Sequence, residues 1–145
     1  MVRVRPLELG DLERVQAVDA ASAPATRRPP VATRGALSFY ARTGHAFVAE
    51  DDSGARGFAL AQAVWDGTRP TVRLRTLAVA ESSDAEARAA LLEAVTKSAY
   101  DAAVYDLICE LPEGDDDARD LLAAAGWSLE PVRLYGRTLG SRGAA

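Results

Sequence analysis

Residues 77–94 read "LAVAESSDAEARAALLEA": the end of a strand, a tight loop and the opening of an amphipathic helix. Leu91, Leu92, Val95 and Ala99 recur on one side of that helix, which the pattern carries to about Asp101. Where such a unit binds a phosphorylated cofactor, the loop is commonly glycine-rich, so that backbone N–H groups reach the phosphates. Here the loop holds Glu81, Asp84 and Glu86 and no glycine. "SDAE" fits a capping box, with Ser83 as N-cap and Glu86 three residues on. The helix thereby supplies its own anion. Two like charges ~4 Å apart at an effective dielectric near 20 repel by roughly 4 kcal/mol, so a pyrophosphate meets repulsion there.

Outward from this unit the elements alternate. "TVRLRTLAVA" precedes it as a strand, and "VYDLICEL" follows it as a strand apolar on both faces, as expected near the middle of a sheet. "HAFVAED" and "ARGFALAQAVWDG" flank "DSG" and read as a hairpin. Ala59, Ala61 and Ala63 share one face of the second strand, which predicts a helix packed close against it. Upstream, "VRVRP" is a short strand and "LGDLERVQAVDAA" a helix. "SAPATRRPPVAT" is a loop exposing Arg27 and Arg28, and "RGALSFYART" a second helix ended by Gly44. "GDDDARDLLAAAG" is a helix with acids in its first turn and Gly126 past its end. "WSLEP" and "VRLYGRTLG" close the chain as strands, before a loose tail at 141–145. The predicted order is β-α-α-β-β-β-α-β-α-β-β, a mixed sheet flanked by helices in one α/β domain over residues 1–140.

The 145 residues suffice for one core without staples. A net charge of -4 and a pI near 5.0 argue against a nucleic-acid binder. The lone Cys109 and lone His45 exclude a disulfide within the chain and a zinc site built on them, and no metal is expected. No apolar run approaches the ~20 residues that span a bilayer, so no membrane partner is expected. A reducing cytoplasm fits best.

The order and length resemble the GNAT superfamily of N-acetyltransferases over nearly the whole chain. "RPLELGDLERV", "LAVA…ARAALLEAV…AYDAAVYDLICEL" and "ARDLLAAAGW" carry the likeness. "FYARTGH", "GFALAQAVW" and "KSAYDA" are similar to a small, functionally uncharacterised bacterial branch of it. The resemblance implies that the strands at 71–79 and 104–111 run parallel and splay, with acetyl-CoA entering the gap. Its pantetheine arm would pair with backbone at Leu77, Ala78 and Val79. Its pyrophosphate would meet a loop that falls on Ser83 to Arg88, where this chain has Glu86 and Arg88 in place of two glycines. Leu122 stands where many relatives carry a proton-donating tyrosine, and no carboxylate occupies the centre of "TVRLRTLAV".

Each candidate residue has two readings. His45 is the one group titrating near neutrality, hence a general base or a hydrogen-bonding strand-start residue. Gln62 lines a pocket or serves the structure; Trp65 and Asp66 form a rim or a turn. Arg73 and Arg75 point to the same sheet face, to clamp a carboxylate or phosphate or to pair with nearby acids. Arg88 either binds a phosphate itself or has no part in one. Two functions follow. One is an acyl-CoA-dependent N-acyltransferase acting on a small amine, with His45 and Asp66 catalytic and Gln62, Trp65, Arg73 and Arg75 around the acceptor. The other is a non-catalytic binding or scaffold protein of the same fold. A homodimer is compatible with either.

Overall fold

The computed structural model describes residues 1–65 and 67–140. Strand β1 (Arg3–Pro6) leads through one 3-10 turn into helix α1 (Leu12–Thr26), and α2 (Arg34–Tyr40) follows. Strands β2 (Phe47–Asp51), β3 (Gly54–Trp65) and β4 (Pro70–Val79) form a meander. Helix α3 (Ala85–Asp101) crosses to β5 (Leu107–Cys109), and α4 (Asp116–Ala124) ends the regular structure. The sheet order is β1-β2-β3-β4-β5, antiparallel except for the parallel β4–β5 pair. That parallel pair, joined by α3, is as the family resemblance implies.

One face of the sheet packs on α3 and the other on α1 and α2. Leu91, Leu92, Val95 and Ala99 of α3 meet Ala49, Ala59, Ala61, Val72, Leu74, Leu77 and Val79. Phe58, Leu60, Val48 and Ala78 meet Val15, Val18 and Leu37 on the far side. Ala59 and Ala61 of β3 lie in the α3 core as predicted, whereas Ala63 is exposed and takes no part in it. A Cβ at Gly57 would lie 2.7 Å from the Ala78 carbonyl oxygen and 3.0 Å from Leu91 Cδ1, so only glycine lets α3 come this close. In β4 a bulge leaves Arg75 without a partner in the register, Leu60 facing Thr76 and Ala61 facing Leu74. The bulge shifts the alternation by one, which puts Val72, Leu74, Leu77 and Val79 all on the α3 side.

Several expectations change. Helix α1 continues through Pro24 to Thr26, where the sequence suggests a loop. Buried Asp19 accepts from the Val31 and Ala32 amides (2.7 and 2.8 Å) and from Arg28 (2.6 Å), and Arg28 also donates to Ser22 Oγ. These bonds hold the last turn against the body, while Pro24 forfeits only one helical hydrogen bond. Arg28 is therefore half-buried in an ion pair; Arg27 is exposed, as expected. The strand expected over 104–111 is reduced to Leu107–Cys109, and it lies at the edge of the sheet, not its middle. "WSLEP" and "VRLYGRTLG" form no strands: a strand needs a neighbour, and the described chain places none beside them. The tail at 141–145 lies outside the described residues.

Candidate functional site: the gap between β4 and β5

Strands β4 and β5 pair only briefly. Asp106 accepts from the Val72 amide at 2.9 Å, and the Glu110 amide donates to the Leu74 carbonyl at 3.0 Å, closing a ladder of Val72–Leu74 with Leu107–Cys109. Pro112 then lacks the N–H to prolong it. Strand β4 runs on to Val79 with only β3 beside it. The backbone of Leu77, Ala78 and Val79 thus borders an open slot, while their side chains are buried in the two cores.

At the closed end of this slot Glu110 lies between two arginines. Arg73 Nε donates to Glu110 Oε1 at 2.6 Å, and Arg75 Nε lies 3.3 Å from Oε2. The pairing with nearby acids foreseen for these arginines is therefore the one present, with all three side chains still partly exposed. Gln62 sits opposite Arg73 in the β3–β4 ladder, half-buried. Trp65 ends β3, exposed, its indole N–H donating to the Gly67 carbonyl at 2.7 Å. Asp66 lies outside the described residues.

His45 is placed elsewhere. It precedes β2, two strands from β4, and is buried with Nδ1 2.8 Å from Ser98 Oγ on α3. The Ser98 hydroxyl donates to the Val95 carbonyl at 2.8 Å, so it accepts from the ring and fixes the proton on Nδ1. Burial lowers the pKa of His45 and keeps the ring neutral.

The mouth of α3 differs from the expected box by one residue. The N-cap is Asp84, not Ser83, and its carboxylate accepts from the Ala87 amide at 3.1 Å. The reason is tertiary: Arg56 of β3 grips the same carboxylate through Nε at 2.8 Å and Nη2 at 2.5 Å. Hydrogen bonding from Arg56 outweighs burial and holds Asp84 below the usual carboxylate range. Glu86 reaches Arg56 Nη2 at 3.1 Å and the Val2 amide at 3.4 Å instead of its own helix end. Arg88 is buried, donating to the Ser82 carbonyl at 2.9 Å. A cavity of about 330 Å³ opens beside it, lined by Ser82, Ser83, Ala85, Arg88, Asp117, Asp120 and Leu121. Leu122 is buried in the α3 core.

Two participants escape a reading of the sequence alone. Glu110 is the only charge in "LICEL", a lone acid in an apolar strand, and that is the available signal. Arg56 gives none, since its partner lies 28 residues away. Among the described residues, no cluster of His, Cys, Asp or Glu could hold a metal ion, and no helix is long and apolar enough to cross a membrane.

A five-stranded mixed sheet, a parallel β4–β5 pair whose ladder ends at Leu74 and a crossover helix at the slot define the GNAT acetyltransferase fold. Two solved structures share it: aminoglycoside N-acetyltransferase AAC(6')-Iy in complex with CoA (18% identity, TM-score 0.77, 95% of each chain) and the ribosomal-protein-alanine N-acetyltransferase from Brucella melitensis biovar Abortus 2308 (17% identity, TM-score 0.75, 95% of this chain and 100% of that one). Within that fold the chain belongs to the family described as "Protein of unknown function (DUF1999)", which matches residues 3–127. Wild-type TTHA1254 from Thermus thermophilus is 42% identical, with a TM-score of 0.76 over 97% of this chain and 99% of that one. No curated protein matches the chain.

Proposed function

We propose that the protein is an acyl-CoA-dependent N-acyltransferase acting on a small amine, and that it holds the cofactor mainly by its pantetheine arm. The observation that carries this reading is the one-sided pairing of β4 from Leu77 to Val79, past the end of its ladder with parallel β5. Backbone groups there are available to an extended amide-bearing chain, as a missing strand would be. Acyl-CoA supplies a thioester. The amine nitrogen bonds to its carbonyl carbon, the C–S bond breaks, and the amine proton leaves as the thiol is released. Arg73, Arg75 and Gln62, with Trp65 at the rim, orient the acceptor at the closed end of the slot. His45, neutral and hydrogen-bonded to Ser98, supports the sheet beneath α3.

The mouth of α3 contributes little to affinity on this reading, because Asp84 and Glu86 stand where a pyrophosphate would come. Calorimetry should therefore give acetyl-CoA a Kd in about the high micromolar range. S-acetylpantetheine, which lacks the phosphates, should bind within roughly threefold of it. Failure of both ligands to bind overturns the proposal. The same acids support a second reading, a non-catalytic binding protein of this fold. Binding of both ligands without thiol release in the presence of a panel of small amines would select it.

A further inference from the structure

Strand β4 carries two arginines, and one carboxylate serves both. Arg73 and Arg75 are two residues apart and reach Glu110 from the same face of the sheet. Arg73 donates from Nε to Glu110 Oε1 at 2.6 Å, and its Nη2 approaches the same oxygen, while Arg75 Nε stays 3.3 Å from Oε2. Among the described residues neither guanidinium has another carboxylate, so two cations share one anion at the closed end of the slot. The other charges of these segments are engaged or face solvent. Asp106 is paired with Arg69 at 3.1 Å, and Asp115 caps α4. Glu113, Glu130, Arg133 and Arg137 are exposed and form no ion pair among the described residues.

Such an arrangement suits exchange. The side chains of Arg73, Arg75 and Glu110 are 31%, 44% and 24% exposed, and ion pairs so wetted contribute little to stability. A ligand carboxylate therefore replaces Glu110 at small cost, and gains the forked N–H donors of a guanidinium. Shape favours a carboxylate over a phosphate, because the resident group is planar, with one oxygen for each arginine. Beside it lies a group suited to a nitrogen. Gln62 faces Arg73 across the β3–β4 ladder, so their side chains are neighbours on one face. Half-buried, Gln62 makes no side-chain hydrogen bond among the described residues, and its amide oxygen accepts from an amine or ammonium N–H.

We infer that the closed end of the slot selects a small amine that carries a carboxylate. Arg73 and Arg75 hold the carboxylate in place of Glu110, and Gln62 receives the nitrogen. An amine without an acid would instead set its positive charge against the two arginines with nothing to offer them. The inference names the acceptor's class, and it rests on the acyltransferase reading for the fate of that amine.

The test compares matched amines on the full chain, glycine with glycinamide and β-alanine with β-alaninamide, each titrated while backbone amide signals are followed by NMR. The carboxylate member should bind about tenfold more tightly than its amide. In Glu110→Gln, which frees the arginines of their resident charge, carboxylate affinity should rise by about threefold and amide affinity should stay unchanged. In Arg73→Gln with Arg75→Gln the difference should fall below about twofold, with circular dichroism equal to that of the unaltered chain. Should the double variant not fold, the first two measurements decide. No preference in the unaltered chain, a preference kept by the folded double variant, or weaker carboxylate binding in Glu110→Gln would each overturn the inference. Tighter binding of phosphoethanolamine than of β-alanine would overturn it as well. Thiol release from acetyl-CoA is read on the same amines. Equal release with carboxylate and amide members overturns the inference and keeps the acyltransferase; a binding preference without release from any amine keeps the carboxylate site and ends the acyltransferase.

Discussion

Helix α3 begins at the cap Asp84 and helix α4 at the cap Asp115, and in each the carboxylate accepts the amide three residues on, from Ala87 at 3.1 Å and Ala118 at 3.2 Å. The local chemistry is the same and the surroundings are not. Asp115 is followed by Asp116 and Asp117, and Asp116 pairs with Arg119 on the exposed helix surface. Asp84 is gripped from another element by Arg56, with Glu86 and Asp51 within reach of the same guanidinium. One aspartate starts a helix. The other also joins that helix to the hairpin and occupies the place where an incoming anion would gain most from the helix dipole.

The largest difference should appear on truncation. Asp84→Ala loses both the cap and the Arg56 pair, and should lower stability by about 2–3 kcal/mol, read from chemical denaturation. A loss no larger than that of the α4 cap would mean that Arg56 adds nothing. Asp84→Asn keeps a capping side chain and removes the charge. It should raise acetyl-CoA affinity by about tenfold, the equivalent of ~1.4 kcal/mol of relieved repulsion; unchanged affinity would place the phosphates away from this mouth. Asp115→Ala should cost about 1 kcal/mol, an ordinary cap, and leave affinity unaltered.

Acid sharpens the same contrast. Arg56 holds Asp84 below its unfolded-chain value, so the stability this gives is fully present above that value and is lost as pH falls through the lower folded one. Stability of the wild-type chain should fall as the pH drops below the ordinary aspartate value, and the fall should be smaller in Asp84→Asn. Identical acid profiles would show that Asp84 is not a source of the pH dependence.

Much of this is legible in the sequence, for identifiable reasons. The hairpin, the three-stranded meander and the α3 face follow from periodicity and turn residues, which act over a few positions, while the parallel pair comes from the family resemblance. Ala59 and Ala61 of β3 betray the close approach of α3, whereas exposed Ala63 has no such cause. The cap falls on Asp84 and not one residue earlier because "SDAE" satisfies a local rule equally well from Ser83, and only distant Arg56 decides between them. The bulge at Arg75 is written in the apolar pattern, which breaks step between Leu74 and Leu77. Of the site, Arg73 and Arg75 share Glu110 with Gln62 alongside, whereas His45 stands out by its chemistry alone and belongs to a contact with Ser98.

Cys109 gives this molecule a built-in clock. Burial pushes its thiol up to about 12 from an ordinary 9.0, which suppresses the reactive thiolate near neutral pH. The cysteine is half-buried on the edge strand, and any event that lifts β5 from β4 exposes it further and raises its reactivity toward the ordinary level. The rate at which a thiol reagent labels the unaltered chain therefore rises with the opening of that edge, with no added probe.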